Sequence, residues 1–99
     1  MGYGGGEALC LAAGACFYNN LHREAASHEV DLNLVEVEVT AVWDGEAPGA
    51  QELEIRPRIE AQASQEVIEA MIQQALAISF VANTLTLSVR VRLDDGWRQ

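Results

Sequence analysis

The sequence predicts a single α+β domain over residues 1–99, with its elements in the order helix, strand, strand, helix, strand. Three observations support this fold class. Two stretches carry apolar residues at helical spacing, three stretches alternate apolar and polar residues, and glycine, proline and aspartate mark the turns. The antiparallel sheet is expected to pack on a long central helix. Three strands would cover this helix only in part, so we expect a homodimer that buries the remainder.

The first helix is expected from Glu7 to about Ala26, after a glycine-rich lead-in at residues 1–6 that we expect to be flexible. The stretch contains good helix formers and no proline, and Glu7 complements the positive end of the helix dipole. Its first half is apolar almost all round and is expected to be buried. The residues at helical spacing are Leu9, Ala12, Ala13, Cys16 and Phe17. The second half, residues 19–28, is more polar.

Two alternating runs follow, at residues 32–43 and 53–61, and they are typical of an antiparallel hairpin with one solvent-exposed face. Asp44-Gly45 and Pro48-Gly49 indicate the connection between them. Pro57 cannot donate a backbone hydrogen bond, so the second strand is expected at an edge of the sheet or at a bulge.

Opposite charges line the polar face of this hairpin. Two arginines of the second strand are expected to pair with two glutamates of the first, at about 0.2–1 kcal/mol for each pair. These four residues are Arg56, Arg58, Glu36 and Glu38. The acidic residues therefore lie mainly on a solvated surface, which favours solubility and gives no indication of a substrate.

The last two elements are a second helix and a third strand. Ser64 is the expected N-cap of the helix, which extends to about Ala77. An irregular stretch at residues 79–83 leads to a strand at residues 85–93, where aliphatic residues alternate with threonine, serine and arginine. Residues 94–96, Asp-Asp-Gly, are expected to end this strand.

Composition excludes several classes of function. The chain has 15 Asp+Glu against 6 Lys+Arg, a net charge of -9, and every basic residue is arginine. A Schiff-base lysine, a P-loop lysine and a basic nucleic-acid surface are therefore absent, and no nucleic-acid partner is expected. No apolar run reaches the roughly 20 residues of a membrane span, and no basic segment precedes a signal-like run. We expect a cytoplasmic protein that does not interact with membranes.

Two motifs point to a known family. Residues 6–17 read GEALCLAAGACF, and residues 79–85 read SFVANTL. The first resembles the Glu-Leu-Leu-x-Ala-Ala-x-x-Ala-Cys-Phe helix of the OsmC/Ohr family, the osmotically inducible protein C and organic hydroperoxide resistance proteins. The second resembles the Cys-Pro-Val-x-Asn-x-Leu segment after that family's second helix. The order of elements also agrees, so the resemblance spans residues 4–93.

The resemblance implies an intertwined homodimer with active sites at the subunit interface and a role in peroxide stress. It also implies thiol-dependent reduction of organic hydroperoxides, with electrons delivered by a lipoylated protein or another dithiol. Cys16 stands where the family has its peroxidatic cysteine. Ser79 stands in place of the resolving cysteine and cannot form the disulfide. Phe80 replaces the family's proline, and Glu7 is offset by one residue from its partner glutamate. The N-terminal strands with the activating arginine are expected to be missing.

The two cysteines have alternative interpretations. Cys16 is either a peroxidatic thiol or a small buried hydrophobic residue, and the second is favoured because an apolar stretch raises a thiol pKa. Arg23 lies about 10 Å further along the helix and is expected barely to approach the sulfur. Cys10 lies six residues from Cys16, too far for a disulfide, and is expected in the core.

Other reactive or aromatic side chains are interpreted as structural. His22, Glu24 and His28 have the spacing of a metal or acid–base pair, but no second pair of ligands follows, so a solvated face is expected. Trp43 and Trp97 are expected to pack. The sequence predicts no metal site and no cofactor.

Three functions remain open. The first is a homodimeric binding or interaction module, without peroxidase activity, that holds a small hydrophobic ligand near Cys16 and Ser79. Its ligand-binding residues would be Phe17, Asn20 and Phe80. The alternative is a residual one-cysteine peroxidase in which an external thiol reduces Cys16 directly. The third is a structural dimer without any chemistry in a pocket.

Overall fold

The computed structural model describes residues 4–96, and these form three helices and a two-stranded antiparallel sheet. The elements are α1 (Gly5–Ser27), β1 (Leu32–Val42), β2 (Glu52–Ala61), α2 (Gln65–Ala77) and α3 (Phe80–Thr86). The predicted order is confirmed for the first four. Gly5 and Gly6 are already helical, so the prediction of a flexible lead-in is wrong there. Residues 1–3 and Trp97 lie outside the described residues.

The core forms where the C-terminal half of α1 packs against α2 and the inner face of the hairpin. Its buried members are Phe17, Leu21, Ala25, Met71 and Ala75. Within one chain the apolar first half of α1 exposes Leu9 and Leu11, while Leu21 and Ala25 in the more polar second half are buried. Gly14 brings α1 close to the sheet, since a Cβ there would lie 3.1 Å from Cγ2 of Val39.

A left-handed residue ends α1. Glu29 has a φ of 56°, and the amide of Val30 donates to the carbonyl of Ala25 at 2.8 Å. This bond pattern is that of a Schellman motif, which uses the free carbonyls at the end of a helix. The chain then turns directly into β1, so that the hairpin folds back onto the helix.

The hairpin has the predicted charge pairs. Arg58 lies opposite Glu36, and Arg56 lies opposite Glu38. Nη1 of Arg58 donates to Oε1 of Glu36 at 3.0 Å. All four side chains are more than half exposed, so the pairs contribute little to the stability of the fold. Pro57 is in an edge strand, as predicted, while the register shift lies between Leu32 and Leu34.

The third predicted strand is wrong within the described chain. Residues 80–86 form α3, because the Ser79 hydroxyl accepts a hydrogen bond from the amide of Ala82 at 3.2 Å and begins a helix. Residues 87–94 have no regular structure. Their alternation suits a strand, but a strand also needs a neighbour for its backbone groups, and none lies beside this segment in one chain.

α3 leaves α2 at an angle of 61°. The side-chain amide of Asn83 holds this corner by donating to the carbonyl of Ala77 at 2.9 Å. Among the helices of residues 4–96, none alone has the length and apolarity to cross a membrane, and only the bent pair of α2 and α3 has both together.

Candidate functional site

The site lies where α1 meets the corner between α2 and α3. Cys16 is on α1 and Ser79 is the residue just before α3, 63 positions later in the chain. The hydroxyl of Ser79 donates to the sulfur of Cys16 at 3.4 Å. The structure therefore brings together the two positions that the family resemblance paired, with a hydrogen bond where that resemblance implies a disulfide in other members.

The surroundings of Cys16 favour its thiolate. The Ser79 hydroxyl is the largest influence lowering the pKa of this thiol, followed by the backbone amide of Val81. Burial raises the pKa, while the amide of Phe80 and the charge of Arg23 lower it further. The net direction is downward, so the expectation that the apolar stretch raises the pKa is wrong. The reason is that hydrogen-bond donors surround one side of the sulfur.

Ser79 is well placed to act on the sulfur because its own position is fixed. The residue is fully buried, and its oxygen accepts from the amide of Ala82 at 3.2 Å. That bond leaves the single hydroxyl proton free to point at Cys16. Capping α3 and contacting the thiol are therefore two uses of one side chain.

The predicted ligand-binding residues are not together on one surface of the chain. Phe17 is 1% exposed and lies in the core. Asn20 is also buried, and its side-chain amide donates to the carbonyl of Ala75 at 3.2 Å. Phe80 is 78% exposed and directly follows Ser79. Only Phe80 therefore offers an apolar surface to a ligand beside the thiol.

Glu7 and Cys10 lie toward the other end of α1. The carboxylate of Glu7 accepts from the amide of Gly4 at 3.4 Å, and nine residues of helix separate it from Cys16 by about 13 Å. Cys10 is partly buried and lines an open groove between α1 and β1, so its prediction as a core residue is wrong. Within one chain neither side chain approaches the sulfur of Cys16.

Most of the remaining side chains that the sequence singled out lie on the surface, while Glu24 is half-buried. Nε2 of His28 is 3.8 Å from Oε1 of Glu24, and the His22 ring lies 4.6 Å from that of Tyr18. Trp43 is largely exposed rather than packed. Among residues 4–96 no group of three or more histidine, cysteine, aspartate or glutamate side chains could hold a metal ion.

Two residues that matter to the site escaped the sequence analysis. The amide of Val81 reaches the thiol only because α3 begins at Phe80, and the serine N-cap at Ser79 was the available signal for that helix. Gly14 has no reactive group, and only the close approach of α1 to β1 shows its importance.

Comparison with known proteins identifies a family. Residues 1–94 match the protein family described as OsmC-like protein. No curated protein matches the sequence.

Solved structures share the fold at low sequence identity. An OsmC-like protein from Mycoplasma pneumoniae is similar with a TM-score of 0.79 at 21% identity, over 87% of this chain and 64% of that one. An OsmC-like protein of unknown function from Vibrio cholerae is similar with a TM-score of 0.69 at 17% identity, over 81% of this chain and 56% of that one. A hypothetical protein from Aquifex aeolicus is similar with a TM-score of 0.79 at 13% identity, over 93% of this chain and 71% of that one. The chain thus spans less than two thirds of the first two proteins, and at these identities the likeness shows the fold alone.

Proposed function

The chain belongs to the OsmC-like family, and from this premise we propose that it is a one-cysteine thiol peroxidase that reduces organic hydroperoxides through Cys16. The hydrogen bond from Ser79 to the sulfur carries the proposal. A donor at this position stabilises the thiolate, which is the form that attacks peroxides. The homodimer and the cytoplasmic location expected from the sequence belong to the same proposal.

The first step is attack of the Cys16 thiolate on the outer oxygen of the hydroperoxide. An S–O bond forms and the O–O bond breaks, so the sulfur is oxidised to a sulfenic acid and the peroxide is reduced. The leaving alkoxide takes a proton from water and departs as an alcohol. The donors around the sulfur, the Ser79 hydroxyl and the amide of Val81, stabilise the attacking thiolate.

The return step requires an external thiol because Ser79 cannot form a disulfide. A first thiol condenses with the sulfenic acid, releases water and forms a mixed disulfide with Cys16. A second thiol attacks that disulfide, releases the Cys16 thiolate and leaves with the first thiol as a new disulfide. A dithiol would supply both equivalents from one molecule.

Phe80 supports an organic substrate. Its ring is 78% exposed, and its amide is among the groups that lower the pKa of Cys16. An exposed apolar side chain therefore belongs to a residue whose amide is close to the reacting sulfur, and the organic part of a hydroperoxide would gain from burial against it where hydrogen peroxide would not. We expect cumene hydroperoxide to react faster than hydrogen peroxide.

The test is the rate at which cumene hydroperoxide oxidises Cys16, with dithiothreitol as the reductant for turnover. We expect oxidation faster than that of free cysteine at the same pH, and a sulfenic acid on Cys16 that dimedone traps for mass spectrometry. C10S is the matched control, because it removes the other thiol of the same helix and should retain the activity. C16S should abolish it.

A rate no faster than that of free cysteine would overturn the peroxidase. The binding module would then be the better proposal, with a specific place for its ligand. An open groove of about 790 Å³ lies between the start of α1, the β1 end and the following loop, and Trp43 lines it. Quenching of Trp43 fluorescence by an apolar ligand, measured in a W97F background, would report its occupancy.

A further inference from the structure

Asn20 is a buried polar residue to which the proposed reaction gives no part. It is 6% exposed, and its side-chain amide donates to the carbonyl of Ala75, 55 residues later in the chain, at 3.2 Å. Asn20 follows Cys16 by four residues, so the two side chains lie one turn apart on the same face of α1. The bond to Ala75 therefore joins the end of α2 to the face of α1 that carries the thiol.

The end of α2 leaves carbonyl groups without their helical donors. In a continuous helix the amide of Ser79 would donate to the carbonyl of Ala75. Here that amide donates to the carbonyl of Leu76 instead, at 3.1 Å. The side chain of Asn20 takes its place at Ala75. A residue of α1 thus supplies a hydrogen bond that α2 loses when the chain turns away.

Asn83 fills a similar position on the other side of the corner. In a continuous helix the amide of Val81 would donate to the carbonyl of Ala77. α3 leaves α2 at 61°, and the side-chain amide of Asn83 donates to that carbonyl at 2.9 Å. The backbone amides of Phe80 and Val81 instead act on the sulfur, where both lower the pKa of Cys16.

Hydrogen bonds are the means by which this corner acts on the thiol. Residues 71–86 contain no ionisable side chain, and the charge that lowers the pKa of Cys16 is that of Arg23, on α1 itself. The corner contributes the hydroxyl of Ser79, 3.4 Å from the sulfur, and the amides at the start of α3. A hydrogen bond weakens steeply as its geometry departs from the ideal. The groups that hold the corner against α1 should therefore control the thiol.

We propose that Asn20 is a positioning residue for Cys16, which keeps the corner of α2 and α3 against α1 and so keeps the Ser79 hydroxyl on the sulfur. Asn83 has the same role from within the corner. Asn20 acts through the carbonyl of Ala75 and has no part in the bonds that form and break. Its importance for peroxide reduction rests on the proposed function, whereas its effect on the thiol requires no peroxide.

The experiment measures the alkylation of Cys16 by iodoacetamide as a function of pH, in a C10S background where a single thiol reports. N20L removes the donor and keeps a side chain of similar size. We expect its profile to move to higher pH and its rate at neutral pH to fall by about 3–10-fold, because less thiolate is present. N19L makes the same change at the exposed neighbour and is the matched control, with an unchanged profile.

A second control separates positioning from a general loss of stability. L21A removes the next side chain of α1, which is fully buried, without removing a hydrogen bond to the corner. It should unfold at lower urea concentration than the parent chain, yet its alkylation profile should remain that of the parent while the chain is folded. An equal shift in L21A and N20L would overturn the proposal, because loosening of the core alone would then explain the thiol.

N83A tests the corner at an exposed residue, where folding should be retained. Its profile should move in the same direction as that of N20L, by a smaller amount. An unchanged profile in folded N20L would overturn the proposal, and if N20L does not fold, an unchanged profile in N83A would do so. Oxidation of the parent chain by cumene hydroperoxide no faster than that of free cysteine would overturn the peroxidase alone. The two proposals therefore fail separately.

Discussion

One side of α1 is packed against other parts of the chain, and the opposite side is left open. On one side, Phe17 and Leu21 are buried under α2, and the Cys16 sulfur accepts its hydrogen bond from Ser79. On the other side, Leu11 and Tyr18 line an open groove. The comparison indicates that a single chain builds the surroundings of the thiol but leaves the groove open. The stability of the single chain and the chemistry of its thiol should therefore depend on the closed side more than on the open one.

The largest expected effect is on the closed side. F17A removes a fully buried aromatic ring from the centre of the core and should lower the free energy of unfolding by about 3–5 kcal/mol. Urea denaturation followed by circular dichroism measures the loss.

The matched control for F17A lies on the open side of the same helix. L11A removes a side chain that is 57% exposed, and it should cost under about 0.5 kcal/mol at concentrations where the chain is monomeric. An equal loss in both variants would contradict the distinction between the two sides. A loss for L11A that grows with protein concentration would instead indicate that a second copy covers this residue.

The sequence predicted the elements that depend on local patterns. The register of Glu36 and Glu38 against the arginines of β2 followed from alternation and charge, and the Ser64 cap of α2 followed from its position. Alternation at residues 85–93 predicted a strand that one chain does not form, because pairing depends on a neighbour that periodicity does not reveal.

The sequence could predict which residues form the site, but it could not predict their chemistry. The motifs placed Cys16 and Ser79 at related positions, and the structure puts them in contact. The direction of the thiol pKa was not predictable, since it depends on a hydroxyl proton and amides at the start of α3 that the apolar composition of α1 conceals. Long-range hydrogen bonds of this kind have no signature in the local pattern.

The next largest expected effect tests how closely the closed side of α1 holds Cys16 and Ser79 together. S79C should form a disulfide with Cys16, because the two side chains already meet at 3.4 Å across 63 residues of sequence. Closing so long a loop should stabilise the oxidised variant by about 2–4 kcal/mol. Thiol titration should then find only Cys10 free. S27C, at an exposed end of α1, should retain all its thiols under the same conditions, and a fully reduced S79C would show that the contact is too loose for the bond.

The smallest expected effect concerns the thiol alone. S79A should raise the pKa of Cys16, because the hydroxyl is the largest influence that lowers it, and the pH profile of alkylation by iodoacetamide should move to higher pH. S64A is the matched control: Ser64 caps α2 by accepting from the amide of Val67 and has no contact with the sulfur. Each variant should lose about 1 kcal/mol of stability with its cap, so only a change in the thiol separates them.

The same lowered pKa fixes how stability responds to pH. A group whose pKa is lower in the folded chain contributes stability that is present above its unfolded value, 9.0 here, and is lost as the pH falls through its folded value. The free energy of unfolding of the parent chain should therefore rise with pH up to about 9.0 through this group, and C16S should lack that rise. In S79A the rise should become smaller, while in S64A it should persist. If S79A and S64A gave the same dependence of unfolding free energy on pH, the Ser79 hydroxyl would act only as the cap of α3. The closed side of α1 would then differ from the open side in packing but not in chemistry.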